Sequence, residues 1–397
     1  LLLLFTQELP RHSNKLVSKK SHGVLRRVRS SDSSFNNRMA FQDIRKSRKW
    51  LSAEEIRLLA LVLFVLIALL AANIALARVL PGGEWFFLRW SGVRAFFAAQ
   101  AEAAKEGLKG ARTMPDGVAT ILIEQTEPYG TEVAQQTQEV AYGRPAFSSE
   151  YGYVLNDPFY IVLLYTPLAL LRDFTLARGI WMLLSELALV GIVLFAFRLS
   201  EWQPPRWLYI GLLIFGLFSY FSLNALVAGT PAVMLTFLYL WILVALRSHS
   251  DELAGALLSL VVYQWEVSGL FFLFILFFVL SHRRWGVLAG FAMSLFLLFV
   301  VSFLIYPGWG LPYIRAVLSD WFRGANLTFS HMLSTWFPDS RVSIGGIASI
   351  VSGIIVFVEW LGSVHAHFRR VVWAAALSLA ATPLVGLAIF PSNHVVL

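Results

Sequence analysis

The chain has no cysteine, and charged residues fill only 14% of its 397 positions, where soluble globular chains carry roughly 25%. The first lack excludes a disulfide framework, thiolate nucleophiles and Cys-ligated metals. The second, set beside 57% hydrophobic residues, excludes a soluble domain, a disordered chain and a coiled coil alike. Motifs are missing too. There is no Walker loop, no GxGxxG after a strand, no GxSxG elbow and no HExxH, so nucleotide-driven transport, hydrolase and metalloprotease readings have nothing to stand on. His365 and His367 are two apart and point to different faces of a helix. No set of ligands for a divalent metal can be assigned, no cofactor is implied, and no internal repeat of fixed period is evident.

What is abundant is apolar sequence in blocks of about 20 residues, the length that crosses a bilayer as helix. The first is Leu58–Leu80, closed by Pro81-Gly82-Gly83. Further runs lie at approximately 158–171, 176–197, 207–223, 226–246, 253–280, 286–306, 344–364 and 371–390. The expected fold is therefore an all-α polytopic membrane protein of nine or ten spans. Run 253–280 reads as one long, tilted or kinked helix, which puts His282-Arg283-Arg284 and His367-Phe368-Arg369-Arg370 in the cytoplasm and the connections 81–157 and 307–343 outside. A re-entrant pair breaking at Gln264–Gly269, or failure of the short run 158–171 to cross, would reverse the parity between them; both together preserve the two outer loops.

The net charge of +8 is local. Residues 1–57 hold thirteen Lys and Arg against five acids, so the remainder of the chain is neutral. A basic segment before the first apolar span is the positive-inside signature of a cytoplasmic N-terminus, and its attraction to anionic headgroups calls for no nucleic acid. Leu1-Leu2-Leu3-Leu4-Phe5 is too short for a signal-peptide core, which needs about 7–15 apolar residues. Residues 1–38 read as disordered or extraneous, with Met39 as a possible start, ahead of a domain over 58–397.

Between Glu84 and Asp157 lies the one long polar region after the N-terminus, with ten acids against six bases. Phe86, Val93, Phe97, Ala101, Ala104 and Leu108 recur at helical spacing, which predicts an amphipathic helix on the outer membrane surface. A second polar helix is expected at about Thr131–Tyr142, and Pro115-Asp116-Gly117 marks a turn. A long loop in a bundle is a candidate for function, because connections in compact folds are mostly short. Glu84 follows the first span by four residues, which sets its carboxylate near the headgroup level, where a base would meet a lipid phosphate. Arg89 and Arg94 are candidate phosphate contacts through charge-assisted hydrogen bonds; equally, they suit ordinary headgroup contacts. Glu127-Pro128-Tyr129 and Asn156-Asp157-Pro158 have turn chemistry.

Three acids fall inside apolar runs, where each costs about 2.5–3.5 kcal/mol to insert and so seeks a partner or a wet cavity. Glu266, in the polar knot Tyr263-Gln264-Trp265-Glu266, is the best functional candidate; Glu186 and Glu359 read as interhelical partners or interfacial groups. The second outer loop offers Tyr313, Arg315, Asp320, Asn326 and His331, and the chain ends with Asn393-His394.

With these residues laid out, the pattern resembles the family 87 glycosyltransferases, bacterial membrane enzymes of the GT-C superfamily. The likeness rests on Gly83-Glu84-Trp85-Phe86, on Glu127-Pro128-Tyr129, on Asp157-Pro158-Phe159 with Tyr165-Thr166-Pro167-Leu168-Ala169-Leu170-Leu171, and on Asn224…Ala228-Gly229-Thr230. It continues through Arg283-Arg284-Trp285, Asn326-Leu327-Thr328-Phe329-Ser330-His331 and the terminal Asn393-His394. Two positions depart: the family commonly has Asp where Glu84 stands, and a lysine where this chain reads Gln264-Trp265-Glu266. The family also runs on beyond the equivalent of Leu397, which suggests a piece of a longer protein. The resemblance implies a GT-C-like bundle in a bacterial inner membrane with its site outside the cytoplasm. It implies inverting transfer of a sugar, mannose-like, from a polyprenyl-phosphate donor to a hydroxyl of a glycolipid or glycan. Glu84 would be the base, with Arg89, Arg94, Glu127, Tyr129, Asp157, Glu266, Asn326, His331 and His394 about the substrates. The competing expectations are a transporter or lipid scramblase built on Glu186, Glu266 and Glu359, and a polysaccharide ligase or polymerase of the same superfamily.

Overall fold

The computed structural model describes residues 53–108, 128–145, 147, 150, 152–324, 329–337 and 344–385, with the side chains of 53, 101–108, 321–324, 329–331 and 334 excepted. The chain divides into two units, Leu1–Leu63 and Phe64–Leu397. The described part of the first is the opening turns of α1 (Ala53–Val79); the rest of α1 and every later helix belong to the second.

All regular structure among the described residues is helical. After α1 come α2 (Glu84–Leu108), where the spacing of apolar residues places it, and α3 (Thr131–Tyr142), where a second polar helix is expected. The short α4 (Phe159–Val162) and α5 (Thr166–Ala169) flank a 3-10 turn, and α6 (Phe174–Ser200) comes next. Then come α7 (Arg206–Phe218), α8 (Tyr220–Ala228), α9 (Ala232–Arg247), α10 (Asp251–Val261), α11 (Trp265–Ser281) and α12 (Trp285–Ile305). The remainder comprises α13 (Gly310–Gly324), α14 (Phe329–Trp336), α15 (Ile344–Ser363) and α16 (Phe368–Ala381).

Among the described residues four helices, α1, α6, α12 and α15, are long and apolar enough to cross a membrane, and the pair α7 and α8, bent by 40°, makes up to five. The expected spans are thus not all single long helices, because polar or cyclic residues cut several apolar runs into shorter ones. Run 207–223 breaks at Ser219, whose backbone is extended and whose hydroxyl accepts from the Ser222 amide. Run 253–280 is two helices, not one: the polar knot leaves Gln264 outside both, and its carbonyl accepts from the Ser268 amide at 2.8 Å. Run 158–171 divides into α4, the 3-10 turn and α5, with Pro158 capping the first and Pro167 in the opening turn of the last.

The outward faces of α1, α12 and α15 carry exposed Phe64, Leu304 and Ile350 among others, as lipid-facing helices require. Close helix contact falls where side chains vanish. A Cβ on Gly255 would stand 2.1 Å from the Val287 carbonyl oxygen and one on Gly290 2.3 Å from that of Glu252, so α10 and α12 touch backbone to backbone. Arg284, paired with Asp251, ties the same two helices at one end. Of the embedded acids, Glu186 accepts from Asn73 Nδ2 at 3.0 Å, joining α6 to α1, and Glu359 meets Arg370 at 3.4 Å across α15 and α16.

The two long connections meet. Asn156 Nδ2 donates to Asp320 of α13 at 2.6 Å, Tyr129 and Tyr313 rings lie 6.2 Å apart, and Tyr306 packs on Phe96 and Phe159 at 5.4 Å each. These contacts bring described parts of the two connections together.

Candidate functional site

Helix α2 starts where α1 is turned back by Pro81-Gly82-Gly83. Gly82 and Gly83 hold φ of 111° and 88°, left-handed values that a side chain resists. The Gly83 carbonyl accepts from the Phe87 amide at 2.7 Å, which makes Glu84 the first residue of the helix. A carboxylate is favoured there by the helix dipole.

Beneath this turn lies Arg178 of α6, only 3% exposed. Its Nη1 donates to the Leu80 carbonyl at 2.8 Å, and its Nη2 to those of Val227 at 3.0 Å and Pro81 at 3.3 Å. A Cβ on Gly83 would stand 2.7 Å from its Nε, so the guanidinium fills the space that glycine leaves. Gly229, the left-handed residue that ends α8, completes the fit: a Cβ there would meet Phe86 at 2.8 Å and Gly83 at 3.4 Å. The Asn224…Gly229-Thr230 pattern thus closes directly on the Glu84 turn.

Glu84 itself is half-buried. Desolvation raises its carboxyl above the ordinary glutamate range, while backbone hydrogen bonds and the Arg178 charge pull the other way without cancelling the rise. Tyr153 and Tyr142 both feel the Glu84 charge. The Tyr153 ring stands edge-on to Trp85 at 5.2 Å and 5.9 Å from that of Tyr142. Burial, and then Glu84, pushes the Tyr153 phenol up and keeps it protonated. The result is a carboxylate with elevated proton affinity, a buried guanidinium within electrostatic reach, and two phenols.

Arg89, one turn further along α2, is placed differently from the headgroup-level phosphate contact expected of it. It is 1% exposed, and so is Asp157. Arg89 Nε meets Asp157 Oδ2 at 2.5 Å, its Nη2 donates to Oδ1 at 3.1 Å and its Nη1 to the Trp85 carbonyl at 2.8 Å. Asp157 raises the guanidinium's proton affinity beyond the loss caused by burial. The half-buried Tyr129 donates its hydroxyl to the Asp157 carbonyl at 2.9 Å, which fixes the return of the loop into the bundle. Burial and the Asp157 charge both push that phenol up. Three of the expected site residues therefore form a sealed structural pair and its brace.

Glu266, at the first turn of α11, lies within electrostatic reach of Asp320 and Asp157. Arg94 is half-buried, with its guanidinium 4.7 Å from the Trp90 ring and two long contacts of 3.4 Å to the carbonyls of Leu171 and Arg172. Its donors are the least committed of the cations considered. Glu127, Asn326 and His394, and the Pro115 turn, lie outside the described residues; His331 belongs to α14, but its side chain is likewise outside them. Among the described residues no group of three or more His, Cys, Asp or Glu is arranged to hold a metal ion.

One residue and one pairing escape the sequence reading. Arg178 carried a signal, a cation in an otherwise apolar run, which calls for carbonyl or carboxylate partners as much as an embedded acid does. The pairing of Asn156 with Asp320 carried none, since only the fold joins residues 164 positions apart.

A family model for glycosyltransferase family 87 matches residues 155–395, more than half of the chain, and the chain belongs to that family. Asp157, Arg178, Gly229, Glu266 and Asp320 fall inside the matched region, and Glu84 precedes it. No curated protein and no solved structure was found to match.

Proposed function

We propose that this membrane glycosyltransferase moves a sugar, mannose-like, from a polyprenyl-phosphate donor to a hydroxyl of an extracytoplasmic glycolipid or glycan, with Glu84 as the base. The observation that carries the reading is the setting of Glu84: first residue of a helix just past a membrane span, half-buried, with raised proton affinity and a buried arginine near it. In the transfer, the acceptor oxygen forms its bond to the anomeric carbon as the bond to the donor phosphate breaks. The phosphate departs with that electron pair, the Glu84 carboxylate takes the hydroxyl proton, and the anomeric configuration inverts. A carboxylate held above its usual pKa is a stronger acceptor of that proton.

Arg178 acts as a positioning residue, because its donors fix the carbonyls of the turn that projects Glu84. Arg94 is the cation assigned to the departing phosphate, since its own contacts are long. Arg89, Asp157 and Tyr129 hold α2 to the loop's return. A translocation pathway through Glu186, Glu266 and Glu359 finds less support: Glu186 is bonded to Asn73, and Glu359 pairs with Arg370.

The test is reconstitution of the full chain with labelled polyprenyl-phosphate sugars and, in parallel, a diphosphate-linked donor. Label should pass from the monophosphate donor to a new glycolipid in the wild type, and Glu84→Gln should lower turnover by about 10²–10⁴-fold. Transfer from the diphosphate donor alone would favour a ligase or polymerase, and unimpaired transfer by Glu84→Gln would remove the base assignment.

A further inference from the structure

A cavity of about 630 Å³ opens at the turn between α15 and α16, lined by His365, Ala366, His367, Arg369, Arg370 and Trp373. It holds two guanidiniums and two imidazoles and no lining carboxylate. The acid that Arg370 does contact, Glu359, is 3.4 Å away, a long ion pair. Arg370 lies across Gly362, where a Cβ would stand 3.0 Å from its Nη2, so the missing side chain leaves the guanidinium its place. His367 precedes α16 without a side-chain cap, so the positive end of the helix adds to the charge at this turn.

Exposed apolar residues of α15 lead toward the same turn. Ile354, Val358 and Leu361 of α15 are all exposed and succeed one another at helical spacing toward the turn. The exposed Trp373 stands on α16 at the rim, as aromatic residues do at the level of headgroups. A hollow lined by two arginines at the end of an exposed apolar stripe matches the two-part chemistry of an anionic phospholipid. A choline headgroup would bring an ammonium that no carboxylate of the lining receives. A free phosphate would gain nothing from the stripe.

We infer that this turn binds an anionic phospholipid, with its phosphodiester held by Arg369 and Arg370 and its acyl chains along Ile354, Val358 and Leu361. Glu359 competes with the phosphate for Arg370 and weakens the site.

The test is equilibrium binding of short-chain phosphatidylglycerol to the purified full chain in detergent, read by native mass spectrometry, with phosphatidylcholine and inorganic phosphate as comparisons. Phosphatidylglycerol should bind at least several-fold more tightly than phosphatidylcholine. Arg369→Gln with Arg370→Gln should weaken it by about 30-fold, the effect of two cations near a membrane surface. Glu359→Gln should strengthen it, a gain that misfolding does not produce. Equal binding of the two lipids, an unchanged affinity in the double arginine variant, a loss in Glu359→Gln, or inorganic phosphate binding as tightly as the lipid would each overturn the inference.

Discussion

Glu84 and Arg89 sit little more than one turn apart on the same helix, yet they face opposite circumstances. Arg89 is enclosed and bonded through both sides of its fork to a carboxylate as buried as itself, with a backbone carbonyl taking a further donor. Glu84 is half open, and the cation near it has given its Nη donors to backbone carbonyls. A buried charge that is fully paired is expensive to disturb and has nothing left to offer a substrate. A partly desolvated charge held near, but not bonded by, its counter-charge keeps a lone pair to use. Scaffold and chemistry are thus separated along one helix by how completely each charge is satisfied.

That contrast breaks if the two positions respond alike to isosteric neutralisation. Asp157→Asn leaves the Arg89 charge buried and unpaired, and should destabilise the protein by about 3–5 kcal/mol, read as a fall in melting temperature of the solubilised chain. Glu84→Gln should leave the melting temperature unchanged or higher, since it removes a carboxylate that burial disfavours. Smaller effects sharpen the comparison. The Asn73–Glu186 hydrogen bond joins two apolar helices and takes no part in the proposed transfer. A double-mutant cycle with Asn73→Ala and Glu186→Ala should return a coupling of about 0.6 kcal/mol, and turnover should persist.

The parts legible in the sequence are those set by local chemistry. Apolar periodicity marks α2, the Pro-Gly-Gly turn announces its start, and the polar α3 lies where a second helix is expected. The interruptions of the spans were harder to read, because a polar knot such as Tyr263-Gln264 inside a long apolar run is compatible with a kinked helix or with two helices. Only the backbone shows that Gln264 leaves the helix. Arg89 was misread for a similar reason: its sequence surroundings are those of a surface arginine, and its partner Asp157 lies 68 residues away. Charge pairing across such separations is a property of packing, and packing also hid Arg178, whose four carbonyl contacts come from Ala77, Leu80, Pro81 and Val227.

The most direct measurement is the pH dependence of kcat/KM for sugar transfer in the wild type, Glu84→Gln and Arg178→Gln. As the base, Glu84 must be ionised, and its folded pKa is raised above 4.5, so wild-type activity should fall as pH drops through a single ionisation above that value. Removing the Arg178 charge removes an influence that lowers this pKa, so the acid limb should move to higher pH in Arg178→Gln, while it should vanish from the residual activity of Glu84→Gln. An acid limb that persists in Glu84→Gln, or that disappears instead in Glu266→Gln, would contradict the assignment.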